Sequence, residues 1–129
     1  MNSAAIPWKY NLRDPNFGLP RRITAGVTAR IVCGDQAMIS VVRLEPHAKN
    51  PPHQHPEEQW GFLLEGACVR LQGAEEVAMQ PGDFWHTPGN VSHGMTAGPE
   101  GALVIDVFAP PRPEYRKSGG GYGVSAASA

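Results

Sequence analysis

The 129-residue sequence has few of the features that identify several large protein classes. Its two cysteines, Cys33 and Cys68, lie in apolar stretches and not in a close-spaced motif, which predicts reduced core thiols and no disulfide framework. Lysine and arginine together number 11 against 12 acidic residues, so there is no basic excess to attract nucleic acid or anionic lipid. The expected partners are therefore small molecules or a second copy of the chain.

Long apolar runs are also missing. No window approaches the roughly 20 apolar residues of a membrane span, and the first residues do not show a basic stretch followed by an apolar one. These absences predict a soluble, cytoplasmic protein, and the length fits one domain.

No long segment carries the apolar stripe of an amphipathic helix. Short runs of alternating apolar and polar residues are separated instead by glycine and proline, which is typical of antiparallel sandwiches and barrels. Turn dipeptides predict hairpin corners at Gln72-Gly73, Pro81-Gly82, Pro88-Gly89-Asn90 and Gly98-Pro99. The predicted strands cover residues 26–33, 37–44, 59–64, 67–71, 75–79, 83–87, 92–96 and 102–108.

The chain divides by composition into three parts. Residues 1–22 combine prolines with aromatic residues and predict an extended arm laid over the domain or over a partner. Residues 23–115 hold the predicted strands and form the barrel domain, and residues 116–129 are a tail rich in glycine, serine and alanine that we expect to be flexible.

The strongest chemical pattern is a His-x-His pair, His53 and His55, between prolines and acidic residues. Residues two apart on an extended chain point to the same side, so both imidazoles can face one point. Such a pair suits divalent first-row metals, although it is often only a solvated loop. By the same parity Gln59 is the nearest further ligand.

This segment resembles the first sequence motif of the cupins. In that motif two histidines are followed, four residues after the second, by a glutamate, and seven residues later by a glycine. His53 and His55 match, Gln59 takes the place of the glutamate, and Gly66 falls at the expected turn. The resemblance implies an all-β, antiparallel double-stranded β-helix, the jelly-roll cupin barrel.

The second cupin motif resembles residues 82–93 and supplies a further histidine. Gly82, Pro88 and His93 match, and Asn90 replaces one glycine of the motif. Asparagine tolerates positive φ better than other non-glycine residues, so the turn is expected to survive the change. The other two histidines receive no ligand position: His47 is interpreted as a turn residue and His86 as a structural residue of a strand.

Together the two motifs imply a metal held by His53, His55, Gln59 and His93. An amide in place of a carboxylate leaves the full charge of a divalent ion available, which favours an anionic ligand and strong Lewis acidity. The donor set accepts Ni, Mn, Fe, Zn, Co or Cu, and it does not distinguish among them.

The last predicted strand places Asp106 and Phe108 on one face, and Arg112 follows two prolines. If this face points inward, Asp106 lies near the metal in a pocket of low polarity and can act as general acid or base. If it points outward, Asp106 is a surface charge. Arg112 could bind a carboxylate in bidentate fashion or lie in solvent, and the strand pattern leaves both questions open.

Residues 20–115 also resemble the KdgF-like cupins, which convert 4,5-unsaturated monouronates to linear keto sugar acids. The resemblance implies that Asp106 transfers a proton, Phe108 packs on the sugar ring and Arg112 binds the uronate carboxylate. The favoured function is therefore metal-dependent isomerisation or hydration of a small anionic sugar.

Two other functions remain open at this point. A three-histidine site with open positions also suits a dioxygenase-type cupin, and a pocket without turnover would be a binding module for a small acid. Because cupin domains commonly pair through a sheet edge, the aromatic arm (Trp8, Tyr10, Phe17) predicts a homodimer.

Overall fold

Eight antiparallel strands form one curved sheet in the computed structural model, which describes residues 6–113. The sheet order is β1-β2-β3-β8-β5-β6, and β4 pairs with β8 while β7 pairs with β5. This all-β architecture confirms the predicted fold class. The strands are β1 (Leu19–Thr24), β2 (Val27–Cys33), β3 (Met38–Leu44), β4 (Lys49–His53), β5 (Glu58–Gln72), β6 (Glu75–Met79), β7 (Phe84–Thr87) and β8 (His93–Ala109).

Two long strands, β5 and β8, pair along almost their whole lengths. The sequence predicts each of them as two shorter strands, and the predicted hairpin corner at Gly98-Pro99 is wrong because β8 runs through it. The ribbon bends where the register shifts, next to Gly66 and Gly101, which have φ values of 83° and 79°. A Cβ at Gly66 would lie only 2.0 Å from the Gly101 carbonyl oxygen. The two glycines therefore allow both strands to bend together without breaking.

Two of the strands that contain proline, β1 and β4, were not predicted. β1 contains Pro20 and begins at Leu19, so residues 19–22 pair with β2 although the sequence assigns them to the arm. β4 contains Pro51 and Pro52 and pairs irregularly with β8. Proline is tolerated at the edge of a sheet and at irregular pairings, because the backbone N–H group that proline lacks is not needed there as a hydrogen-bond donor.

The core fills the inside of the barrel with the inward-facing residues of the strands. Along β5 the side chains alternate between buried and more exposed positions, as the period-two pattern predicts. The buried apolar cluster includes Val27, Ile31, Met38, Leu44, Leu63, Trp85, Met95, Val104 and Phe108.

The arm lies on the outer face of its own barrel where it is described. Arg30 and Arg43 donate hydrogen bonds to the Phe17 and Leu12 carbonyls, each at 3.2 Å, and thereby hold the arm on β2 and β3. Trp8 is 81 % exposed, so the first described turn of the arm is not covered by the barrel. Residues 1–5 and the predicted tail, 116–129, lie outside the described residues.

Several local predictions concern single residues. Cys33 and Cys68 are both free thiols, and burial raises the pKa of Cys68 to about 11, which keeps it protonated. His47 and Asn90 adopt φ values of 63° and 65°, which confirms the predicted left-handed turn positions.

Within residues 6–113, no helix is long and apolar enough to span a lipid bilayer.

We expect the inner face of β5 to carry much more of the stability than its outer face. Leu63 is 1 % exposed and its neighbour Leu64 is 39 % exposed. Leu63→Ala should lower the free energy of unfolding by about 2–5 kcal/mol through loss of buried surface and a residual cavity. Leu64→Ala should lower it by less than about 1 kcal/mol. Urea unfolding of both variants measures the difference, and equal losses would contradict the assigned strand orientation.

Candidate metal centre

Three histidines converge inside one end of the barrel. His53 ends β4 and is the register partner of His93, which begins β8. His55 lies in the short connection between β4 and β5. One ring nitrogen from each imidazole lies within 4.8 Å of the others, as expected of groups that share one ion. The structure thus brings together residues that are up to 40 positions apart.

Each imidazole is oriented by a backbone carbonyl. Nδ1 of His53 and of His93 lies 2.9 Å from the carbonyl oxygen two residues earlier, and Nδ1 of His55 lies 3.1 Å from the carbonyl two residues later. A carbonyl only accepts hydrogen bonds, so Nδ1 carries the proton and Nε2 carries a lone pair. Nε2 of His93 is buried and has no hydrogen-bond partner among the described residues. This is the arrangement of metal-binding histidines, whose second nitrogen is fixed by an outer hydrogen bond.

Burial keeps the imidazoles neutral. It lowers the pKa of His93 to about 3, and it also lowers the pKa of His53 and of His55. Arg112 adds to the lowering at His53 and His55 because its positive charge opposes protonation. Neutral imidazole is the ligand form, so no proton has to be displaced at neutral pH before an ion binds.

Gln59 points into the same space from β5. Its Oε1 lies 3.0 Å from Nε2 of His55, and only 3 % of the residue is exposed. Because Nδ1 of His55 carries the proton, these two atoms are both acceptors, and a cation between them would accept both lone pairs. Gln59 also hydrogen-bonds to Asp106, which requires the amide nitrogen as donor and leaves the oxygen for the metal side. The donors present therefore fit a divalent metal ion.

Asp106 faces the barrel interior, which resolves the orientation that the strand pattern left open. It lines the cavity together with Gln59 and Phe108, and its Oδ1 is enclosed with no hydrogen-bond partner in the described part of the chain. Burial raises the pKa of Asp106 to about 6, although Arg70 and the hydrogen bond from Gln59 act in the opposite direction. A carboxyl group with this pKa can both accept and release a proton near neutral pH.

Arg112 is buried, which answers the question of its exposure that the sequence left open. Only 5 % of it is exposed, and its guanidinium carbon lies 5.7 Å from the centre of the Phe108 ring. Its Nε lies 3.8 Å from Oε1 of Glu57, a buried acid that also lies 3.5 Å from Nδ1 of His55. Glu57 thus links the arginine to the histidine cluster.

These side chains border one cavity that opens to solvent. Its empty volume, including the open mouth, is about 540 Å³. Its lining combines polar and charged side chains with apolar ones. The lining residues are Ile23, Ser40, Val42, Leu44, Asn50, His53, Gln59, Arg70, His93, Met95, Val104, Asp106, Phe108 and Arg112.

Sequence reasoning missed two charged residues of this site. Arg70 shares the inward parity of Cys68 on β5, and this parity was the only available indication of its position. Glu57 is part of an acidic pair in which its neighbour, Glu58, is exposed. The two remaining histidines lie outside the cluster: His47 is exposed in a turn, and His86 points outward and pairs with Glu58 at 2.5 Å.

An antiparallel barrel that gathers three imidazoles and an amide at one end defines a metal-binding β-barrel protein. The sequence profile of the cupin domain family matches residues 40–108. This match covers more than half of the chain, and the chain belongs to the cupin family.

Individual relatives agree with this assignment. The pectin degradation protein KdgF of Dickeya dadantii is 27 % identical over 110 residues, which cover 84 % of this chain and 90 % of that protein. The solved structure of KdgF from Halomonas sp. superposes with a TM-score of 0.68 at 29 % identity, covering 72 % of this chain and 88 % of that one. The chain therefore resembles KdgF in sequence and in fold.

A second relative is named for a different activity. Oxalate decarboxylase OxdC of Bacillus subtilis is 30 % identical over 89 residues, which cover 64 % of this chain but only 23 % of that protein. The chain therefore spans about a quarter of the length of this relative.

We expect metal binding to depend on His93 and not on His86. His93→Ala removes a neutral, pre-oriented ligand and should weaken Ni²⁺ binding at least about 100-fold, which is the order expected when a ligand or its support is lost. His86→Ala removes an exposed histidine and should leave the affinity unchanged. Isothermal titration of chelator-treated protein with Ni²⁺ measures both. Equal affinity in the two variants would place the ion elsewhere.

Proposed function

We propose that this protein opens the ring of a small 4,5-unsaturated monouronate and yields its linear keto acid. The observation that carries this proposal is the position of Asp106, whose carboxyl group has one enclosed oxygen and lies with the candidate metal ligand Gln59 in the cavity. The likeness to two KdgF proteins, one of which is named a pectin degradation protein, supports a sugar acid as the substrate class.

The reaction is an isomerisation and needs no second substrate. A proton leaves the anomeric hydroxyl group, the bond between the anomeric carbon and the ring oxygen breaks, and a proton is added to C4 as the enol becomes a ketone. The catalyst must therefore move one proton between two positions on the same molecule. A divalent ion held by His53, His55, Gln59 and His93 would act as a Lewis acid on the sugar oxygens.

Asp106 is the proposed proton carrier. Its raised pKa of about 6 lies close enough to neutrality for the carboxylate to accept the hydroxyl proton and for the acid to return it. Gln59 interacts with the carboxyl group, and the enclosed Oδ1 has no hydrogen-bond partner among the described residues.

Phe108 and Arg112 are the proposed binding residues for the sugar ring and its carboxylate. The guanidinium lies over the Phe108 ring and both residues line the cavity, so an acid group held by Arg112 would place the sugar next to the aromatic ring. Arginine suits this task because its planar fork matches a carboxylate. Glu57 restrains the arginine and keeps it next to the histidine cluster.

The proton-carrier role of Asp106 can be tested by substitution. Asp106→Asn keeps the shape of the side chain but removes its ability to accept a proton, so the rate should fall about 10²–10⁴-fold. The exposed Asp35→Asn variant should retain full activity. Loss of absorbance from the C4–C5 double bond measures both rates on protein of equal metal content. No turnover by the wild-type protein would instead favour a binding module, and an active Asp106→Asn variant would remove the assigned role.

We also propose that the protein forms a homodimer through its outer sheet face. Beyond the part that the arm covers, this face exposes aromatic side chains that a monomer leaves in water: Phe84 is 62 % exposed and Trp60 is 41 % exposed. The exposed Trp8 of the arm offers apolar surface of the same kind. Covering such a patch with a second copy is favourable because apolar area leaves water.

Light scattering tests the assembly directly. The wild-type protein should give a mass near two chains. Phe84→Glu places a charge in the proposed interface and should shift the mass towards one chain, whereas Val77→Glu, also exposed but on β6, should not. A wild-type mass near one chain would contradict the dimer.

A further inference from the structure

Arg70 is a buried charge in the cavity that the proposed reaction does not use. It projects from β5 with 5 % of its surface exposed, and it lines the same space as the histidines and Asp106. A buried arginine requires partners for its charge and its five donors, because desolvation is costly. The neighbours of Arg70 therefore indicate which kind of group its guanidinium can bind.

The guanidinium of Arg70 is held rigidly from behind. One terminal nitrogen donates to Oγ1 of Thr87 at 2.8 Å, and the group stacks over the Trp85 ring with its central carbon 5.4 Å from the ring centre. Thr87 in turn donates to Oε1 of Gln72 at 2.6 Å, and the Gln72 amide donates to the His86 carbonyl at 2.8 Å. All of these partners are neutral. The positive charge itself is therefore left for groups in the cavity.

Arg70 and Arg112 enter the cavity from different strands and have different neighbours. Arg70 projects from β5 and lies over the Trp85 ring, whereas Arg112 follows the end of β8 and lies beside Phe108 and Glu57. The two guanidiniums therefore line one cavity at separate positions, together with His53 and His93. A ligand bound at the histidine cluster can therefore contact one guanidinium with each of its two ends.

The charges in and around the cavity leave a deficit of negative charge once an ion is bound. Arg70 and Arg112 are balanced by Asp106 and Glu57, since Asp106 attracts Arg70 and Glu57 pairs with Arg112. A divalent ion on neutral ligands then adds two positive charges that no described residue in the cavity compensates. Buried charge of one sign is costly, so a ligand that carries two negative charges would complete the site.

We infer that Arg70 forms a second anion-binding position, and that the cavity prefers small acids with an anionic group at each end over acids with one. This goes beyond the proposed function. It uses the proposed small-acid site but concerns binding, not turnover. A monouronate would fill the position at Arg112 and present only neutral oxygens to Arg70, so it would bind more weakly than the diacid of the same carbon skeleton.

The matched probes are galacturonate and galactarate, which differ by oxidation of one end to a carboxylate. Isothermal titration of the Ni²⁺-loaded wild-type protein should show galactarate binding at least about tenfold more tightly, as expected for one additional charge-assisted contact. In Arg70→Gln this preference should fall to about twofold or less, mainly through weaker galactarate binding. The exposed Arg22→Gln variant should keep the wild-type preference.

Further variants distinguish recognition from folding. Thr87→Val keeps the arginine but removes the hydroxyl group that fixes it, so the preference should decrease while the melting temperature and Ni²⁺ content stay close to wild type. If Arg70→Gln does not fold, the Thr87→Val variant provides the test in its place. Arg112→Gln should weaken both probes. Equal affinities in the wild-type protein, or a preference that survives in folded Arg70→Gln, would overturn the inference. Absence of uronate turnover would overturn only the proposed reaction.

Discussion

The antiparallel pairing of β5 with β8 is the constraint on which the barrel and its site both depend. Its register places Gln59 opposite Phe108 and Gly61 opposite Asp106. Since side chains alternate across a strand, this register turns Gln59, Asp106 and Phe108 to the same inner face. A slip of one residue in either strand would carry that strand's side chains to the outer face. The chemistry of the cavity is thus specified by the backbone ladder of β5 and β8, which includes the candidate ligands Gln59 and His93.

Gly61 leaves space for the Trp85 indole, which lies beside the charged residue Arg70 of the cavity. A Cβ at Gly61 would lie 2.2 Å from Nε1 of Trp85, so the indole occupies the space that a larger residue would fill. The indole in turn supports Arg70, which balances Asp106 across the interior. The charges of Arg70, Arg112, Asp106 and Glu57 are tolerable around one cavity because each has a partner of opposite sign nearby.

Much of the site could be read from the sequence because its ligands lie in short motifs. His53 and His55 share one side of an extended segment, and spacing within the second motif marks His93. The strands with clear alternation, such as β2 and β3, agree with the predicted ranges to within one residue. Strands β1 and β4 were missed because they contain proline, which disfavours a strand. Only the pairing with the neighbouring strand shows at which positions the backbone N–H group is not needed as a hydrogen-bond donor.

The sequence by itself determined the all-β class, the three clustered histidines, the presence of an amide in the place of a carboxylate as a candidate ligand, and the turn conformations of His47 and Asn90. Only the tertiary structure decided that Asp106 faces inward, that Arg112 is buried, and that Arg70 enters the same cavity. The physical reason is that period-two alternation assigns residues to two faces but does not say which face is inside. That choice is made by the strand register and by the partners that each buried charge finds across the barrel.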